Sequence, residues 1–192
     1  SRVAAQDLGL VPGVGPHPTP KVVFLLGADS PDIKDKIPPG AFVVYQGSHG
    51  DEGASMADVV LPGSTYFEKS GTYVNLEGRP QKTQPVVTVP ADLCREDFKI
   101  LIGIMDAMEM ELPYTTLDGV RARMARVSPT FANVGECEPT TFHGVTLPKA
   151  APCSGQLAPY LTNHWMTNPI LRSSVVMGKC TSQLPEATSS YI

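Results

Sequence analysis

Three short apolar runs organise the first third of the chain: Val22-Val23-Phe24-Leu25-Leu26, Phe42-Val43-Val44-Tyr45 and Val59-Val60-Leu61 are continuous rather than alternating. Strands covered on both faces read this way, so the runs predict neighbouring parallel strands. The stretches between them, 30–41 and 46–57, are close to the shortest that can carry a parallel crossover, leaving room for a helical turn or two plus loop. Pro31, Pro38, Pro39 and Gly40 confine any helix in the first crossover to its middle. Beyond Gly71, Thr72-Tyr73-Val74-Asn75 is expected to be extended, and Leu76-Glu77-Gly78-Arg79 reads as a turn. Gly71 itself is expected at a left-handed or closely packed backbone position.

A helical period follows. Asp92 is placed as an N-cap, and Leu93, Phe98, Leu101, Ile102, Met105 and Met108 recur at helical spacing, with Ile100 and Ile104 widening the apolar surface. The expectation is a largely buried helix. Thr115-Thr116-Leu117-Asp118 resembles a capping box; Leu117, Val120, Met124 and Val127 form one stripe behind it. Arg121, Arg123 and Arg126 gather toward the end of this second helix, where its dipole favours cations, and Ser128-Pro129 stops it. From 137 to 192 five residues are charged and six are Pro, a composition that argues against an independent core without resembling a highly charged tail. The fold expected is α/β: a small parallel sheet with flanking helices over 1–128, then a long irregular, partner-bound segment over 129–192.

At 192 residues and 42% hydrophobic content the chain suffices for one domain with a core. A net charge of −4, with no basic cluster interleaved with aromatics, gives no support to a nucleic-acid surface. No apolar run approaches the length of a membrane span. Cys94, Cys137, Cys153 and Cys180 are scattered, with no C-x-x-C pair and no histidine at ligand spacing, so they read as four free thiols rather than zinc or cluster ligands. The chain opens at Ser1 without Met or an apolar leader, which leads to the expectation of a processed or partial chain.

Gly13-Val14-Gly15 precedes the first strand, lacks a third glycine and runs into Pro16, so it is not a dinucleotide turn. Gly178-Lys179-Cys180-Thr181 lacks the upstream glycine and the hydroxyl residue of a phosphate loop. His49, Asp51, Glu52 and Asp58 with Ser64 or Ser70 supply the residue types of a hydrolase triad, but no nucleophile elbow accompanies them, and a polar crossover loop accounts for them. His17, His143 and His164 are isolated. Glu68, Lys69, Glu77 and Arg79 surround Gly71 and Gly78; they read as a salt-bridged loop locking the end of the sheet, with an anionic-cofactor site as the alternative. No catalytic, cofactor-binding or metal-ligating residue is assigned.

The series Ala57-Asp58-Val59-Val60-Leu61-Pro62-Gly63 followed by Glu68-Lys69-Ser70-Gly71-Thr72-Tyr73-Val74-Asn75-Leu76-Glu77-Gly78-Arg79-Pro80-Gln81 resembles the late segment of molybdopterin oxidoreductases. With Ser1-Arg2-Val3-Ala4-Ala5-Gln6-Asp7, Val44-Tyr45-Gln46-Gly47-Ser48-His49-Gly50-Asp51, Arg95-Glu96-Asp97-Phe98-Lys99 and Met177-Gly178-Lys179-Cys180, it is most similar to the family of large iron-sulfur subunits of respiratory complex I. The resemblance implies a C-terminal region that has lost its pterin cofactor, with iron-sulfur clusters and FMN held by partner chains. It also implies, as partners, a separate cluster-bearing N-terminal half and other peripheral-arm subunits on the matrix side of the mitochondrial inner membrane. Two rival expectations are a fragment of a true molybdopterin enzyme, whose 68–81 loop helps hold the pterin, and an independent hydrolase using His49.

Overall fold

The computed structural model describes residues 2–9, 18–88, 93–139 and 163–183. A short helix α1 (Arg2–Asp7) precedes strands β1 (Val22–Leu26), β2 (Phe42–Gly47) and β3 (Val59–Pro62). These pair in the order β1-β2-β3, both pairs parallel, with Val22 opposite Phe42 and Val44 opposite Val59. The crossovers are as short as their spacing allowed: a 3-10 turn at Ile33–Lys36 joins β1 to β2, and α2 (Glu52–Ser55) joins β2 to β3. An antiparallel hairpin of β4 (Thr72–Val74) and β5 (Pro80–Lys82) follows, its turn made by Gly78 at φ +88. Helices α3 (Asp97–Ala107), α4 (Leu117–Val127), α5 (Pro169–Arg172) and α6 (Val175–Ser182) complete the described residues.

The two faces of the parallel sheet differ sharply. Strand alternation places Val23, Leu25, Val43 and Tyr45 on one face; Leu25, Val43 and Tyr45 are buried there together with Ile33, and Ala54, Met56 and Ala57 pack against them. The register places Val22, Phe24, Leu26, Phe42, Val44, Gln46, Val59 and Leu61 on the other. Among the described residues much of this second face has no cover: Val22 is 59% exposed, Leu26 58% and Phe42 48%. Parallel sheets are ordinarily shielded on both sides, and the described residues build a buried core on one side.

Helix α3 corrects two sequence expectations. It starts at Asp97, with Glu96 in the cap position, because the Arg95 backbone is captured by the end of β3: Arg95 N donates to Pro62 O and Ser64 N to Arg95 O at 3.0 Å. Asp92, expected as the cap, lies outside the described residues. None of the helix residues is buried, and Met108 is 60% exposed, so the predicted burial is not supplied by the described chain. The capping box of α4 is half formed: Thr116 Oγ1 accepts from Gly119 N at 3.2 Å, but position 119 is a glycine and has no carboxylate to reach back. Arg121 does more than complement a dipole, since its Nη2 donates to Ser70 Oγ at 2.8 Å and docks α4 on the segment before β4.

Residues 129–139 pack against the hairpin: Phe131 is buried, Gly135 N donates to Pro80 O at 2.7 Å, and Arg79 Nη1 donates to Gly135 O at 2.6 Å. Because the single-sided core is small, one truncation within it weighs heavily. Leu25→Ala is expected to cost about 2 to 4 kcal/mol in urea unfolding followed by circular dichroism; a loss below about 0.5 kcal/mol would show that Leu25 does not anchor the core.

Candidate functional site

The polar structure of the chain concentrates beyond the carboxyl ends of β1 and β2. Gly27 turns out of β1 at φ +60, a conformation suited to glycine, while its N–H donates to Gln46 O at 2.7 Å. That turn delivers Asp29, only 5% exposed, to the start of α2, where one carboxylate oxygen accepts from Gly53 N. The other oxygen lies 3.2 Å from the Tyr45 hydroxyl, which also reaches the His49 carbonyl and shares its single proton between the two acceptors. Burial pushes the Tyr45 hydroxyl up to about 12 from the usual 10.0, and the negative charge of Asp29 adds to the shift.

Arg172, from the end of α5, closes this network. Its Nε pairs with Asp51, its Nη2 donates to the Asp29 carbonyl, and its Nη1 donates to Met166 O at 3.1 Å. On the opposite face of the sheet, Gln46 is 2% exposed and its Nε2 donates to Asp97 Oδ1 at 3.0 Å. The other Asp97 oxygen pairs with Lys69. The Gln46 Oε1 is buried without a hydrogen-bond partner among the described residues. Gly47, Ser48, Ser64 and Leu101 join Gln46 and Lys69 around a cavity of about 340 Å³.

The residues of the considered triad are dispersed into structural roles. His49 Nδ1 contacts its neighbour Ser48 at 3.1 Å, Asp51 pairs with Arg172, Glu52 pairs with Lys34, and Asp58 accepts from Val43 N at 2.7 Å. Ser64 Oγ faces Cys94 Sγ at 3.7 Å, and Ser70 Oγ donates to Thr83 O at 2.7 Å. The charged set also separates. Glu77 and Arg79 form one exposed pair at 3.4 Å, Glu68 accepts from Thr65 N, and Lys69 reaches α3. Cys94, Cys137 and Cys180 are free thiols, and among the described residues no group of three His, Cys, Asp or Glu side chains could hold a metal ion. Cys153, His17 and His143 lie outside the described residues. Sequence reasoning missed Asp29, Gln46, Asp97 and Arg172; the one signal available was a glutamine ending an otherwise apolar run.

Comparison with known proteins places this arrangement in a family. The molybdopterin oxidoreductase family matches residues 1–107, more than half of the chain, and the chain belongs to that family. A second family, the C-terminal region of an NADH-ubiquinone oxidoreductase subunit, matches residues 136–180. Among individual proteins the chain is 44% identical over 191 residues to the mitochondrial NADH-ubiquinone oxidoreductase 78 kDa subunit of Candida albicans, covering 95% of this chain and 26% of the relative. It is 40% identical over 187 residues to the mitochondrial NADH dehydrogenase (ubiquinone) iron-sulfur protein 1 of Solanum tuberosum, covering 96% and 25%. To the NADH-ubiquinone oxidoreductase 75 kDa subunit of Reclinomonas americana it is 38% identical over 165 residues, covering 83% and 23%. The chain therefore resembles the large iron-sulfur subunit of complex I and spans about a quarter of the length of these relatives.

Family membership raises the question of a pterin cofactor, whose phosphate needs cations or free amides. The cations described at the carboxyl end of the sheet are already engaged and do not fit such a phosphate. The cation lining the 340 Å³ cavity, Lys69, is paired with Asp97, and the guanidinium on the other face is held by Asp51 and Asp29.

Crowding and charge at Asp29 have measurable consequences. A Cβ on Gly53 would lie 2.7 Å from the Ala28 carbonyl and 3.1 Å from Asp29, atoms that cannot retreat easily, whereas one on Gly71 would meet the half-exposed, rotatable Tyr73 ring. Gly71 does not adopt a positive φ; of the two expected conformations the structure shows the closely packed one. Gly53→Ala should cost about 2 kcal/mol and Gly71→Ala below about 1 kcal/mol in the same urea assay; equal costs would contradict the assignment. Tyr45 is held neutral to higher pH in the fold than in the unfolded chain, so its contribution is fully present below pH 10 and is lost between 10 and about 12. The melting temperature should fall across that window more steeply for the native chain than for Tyr45→Phe, and parallel profiles would exclude the coupling.

Proposed function

We propose that the chain is a structural C-terminal part of the large iron-sulfur subunit of complex I, completing a split subunit in the matrix-facing peripheral arm of the mitochondrial enzyme. It carries no electron or proton itself. Clusters and FMN belong to partner chains, and the assembled enzyme passes electrons from NADH to ubiquinone. The observation that carries this reading is the uncovered face of the parallel sheet, on which Val22, Phe24, Leu26, Phe42 and Val59 wait for apolar cover. The similarity to 75 and 78 kDa subunits, each about four times longer than the matched segment, supports a polypeptide beyond these residues as the source of that cover. No helix among the described residues is long and apolar enough to cross a membrane.

In the same reading residues 163–183 also contact neighbouring subunits, whereas 129–139 pack on the chain's own hairpin. The strong exposure of Val175 and Val176 on α6 supports such contacts. A partner lacking this chain would expose the apolar surface that otherwise covers the bare face and β1, and would be prone to aggregation and degradation, while the cluster ligands stay where they are. Depleting the chain should therefore lower the amount of assembled enzyme and leave the cluster EPR spectrum of the remainder unchanged. Normal abundance with a missing or shifted cluster signal would overturn the structural role, and so would failure of cluster-bearing subunits to co-purify with the tagged chain.

A further inference from the structure

Arg172 lies within the segment that matches the NADH-ubiquinone oxidoreductase C-terminal family, whereas Asp29 and Asp51 lie within the segment that matches the molybdopterin oxidoreductase family. The contact between them spans 143 residues of sequence to the Asp29 carbonyl and 121 to the Asp51 carboxylate. Every nitrogen of the guanidinium has its own acceptor: Nε uses Asp51, Nη2 uses the Asp29 carbonyl, and Nη1 uses Met166 O within its own module. The side chain is 17% exposed. A planar fork satisfies three divergent acceptors in this way, while an ammonium presents a point charge.

The Asp29 side of the notch is positioned independently of Arg172. Asp29 is positioned by Gly53 N and by Tyr45, both within the α/β domain, and Asp51 sits at the cap position of α2. It opens beyond the carboxyl ends of β1 and β2, the end of an α/β sheet at which such folds take their ligands. The segment that delivers Arg172 is, by contrast, weakly self-supporting. Helix α5 has four residues and α6 has eight, below the length at which an isolated helix is stable in water, and none of their residues is buried.

We propose that the Asp29–Asp51 notch is a guanidinium-recognition site of the α/β domain and that the module at 163–183 is its resident ligand, docked through Arg172 and separable from the sheet. The other groups facing the notch are consistent with a site selective for a planar cation. The Asp29 carboxylate is turned toward Gly53 and Tyr45, leaving its carbonyl and the Asp51 carboxylate to the incoming fork.

The test uses the full chain and its Arg172→Ala and Arg172→Lys variants, read by hydrogen exchange and melting temperature with and without about 10 mM methylguanidinium or methylammonium. Arg172→Ala should speed exchange across 163–183 by about tenfold or more while β2 keeps its protection. Methylguanidinium should restore protection near Asp51 and Gly53 and raise the melting temperature of this variant, leaving 163–183 exchanging fast; methylammonium at the same concentration should do neither. If Arg172→Ala does not fold, Arg172→Lys decides, because it keeps the charge and loses the fork, and it too should release the module. Unchanged protection of 163–183 in whichever variant folds, or equal rescue by the two cations, would overturn the proposal.

Discussion

A single buried carboxylate, that of Asp29, is the constraint on which the arrangement of the α/β core rests. It follows β1, accepts from the first turn of α2 and lies against the Tyr45 hydroxyl of β2, so that two strands and a crossover are fixed through one side chain. A carboxylate that is 5% exposed is costly to desolvate unless such partners are in place. The same residue's carbonyl then receives Arg172, which brings the C-terminal helices to the sheet. Core packing alone would not specify this geometry, because among the described residues the buried apolar cluster of the sheet consists of Leu25, Ile33, Val43 and Tyr45 with the partly buried residues around it.

The second consequence is asymmetry. On the side of Asp29 and Tyr45 the sheet is covered by its own crossovers; on the side of Gln46, among the described residues, it faces α3, with Asp97 held by Gln46 and by Lys69. Among the described residues that face stays open at Val22, Leu26 and Phe42. Among the described residues the apolar surfaces of β1, β2 and α3 remain exposed, in a chain that spans about a quarter of its relatives' length.

Much of this was legible in the sequence, and the parts that were not have identifiable causes. The unalternated runs revealed the parallel strands because burial on both faces removes the period of two, and the crossover lengths followed from steric minima. Gly78 announced its turn through backbone freedom. The start of α3 was misplaced because the apolar period continues back to Leu93, whereas a nonlocal pairing of Arg95 with the end of β3 holds that backbone extended. The Arg172 contacts were illegible for a related reason: an arginine near the end of the chain carries no local mark of an acceptor on a loop more than a hundred residues earlier. The charged residues at 68–79 looked like one group by proximity in sequence, and the hairpin separated them.

On this account, polypeptide outside these 192 residues covers the bare face of the sheet. The most direct test replaces Phe24, on that face, with a photo-crosslinking phenylalanine analogue and maps the products in the assembled enzyme by mass spectrometry. The account predicts crosslinks to residues outside this chain, with a control position at Val43 on the covered face giving only intrachain products. Crosslinks from position 24 confined to this chain, or none above the control, would contradict it.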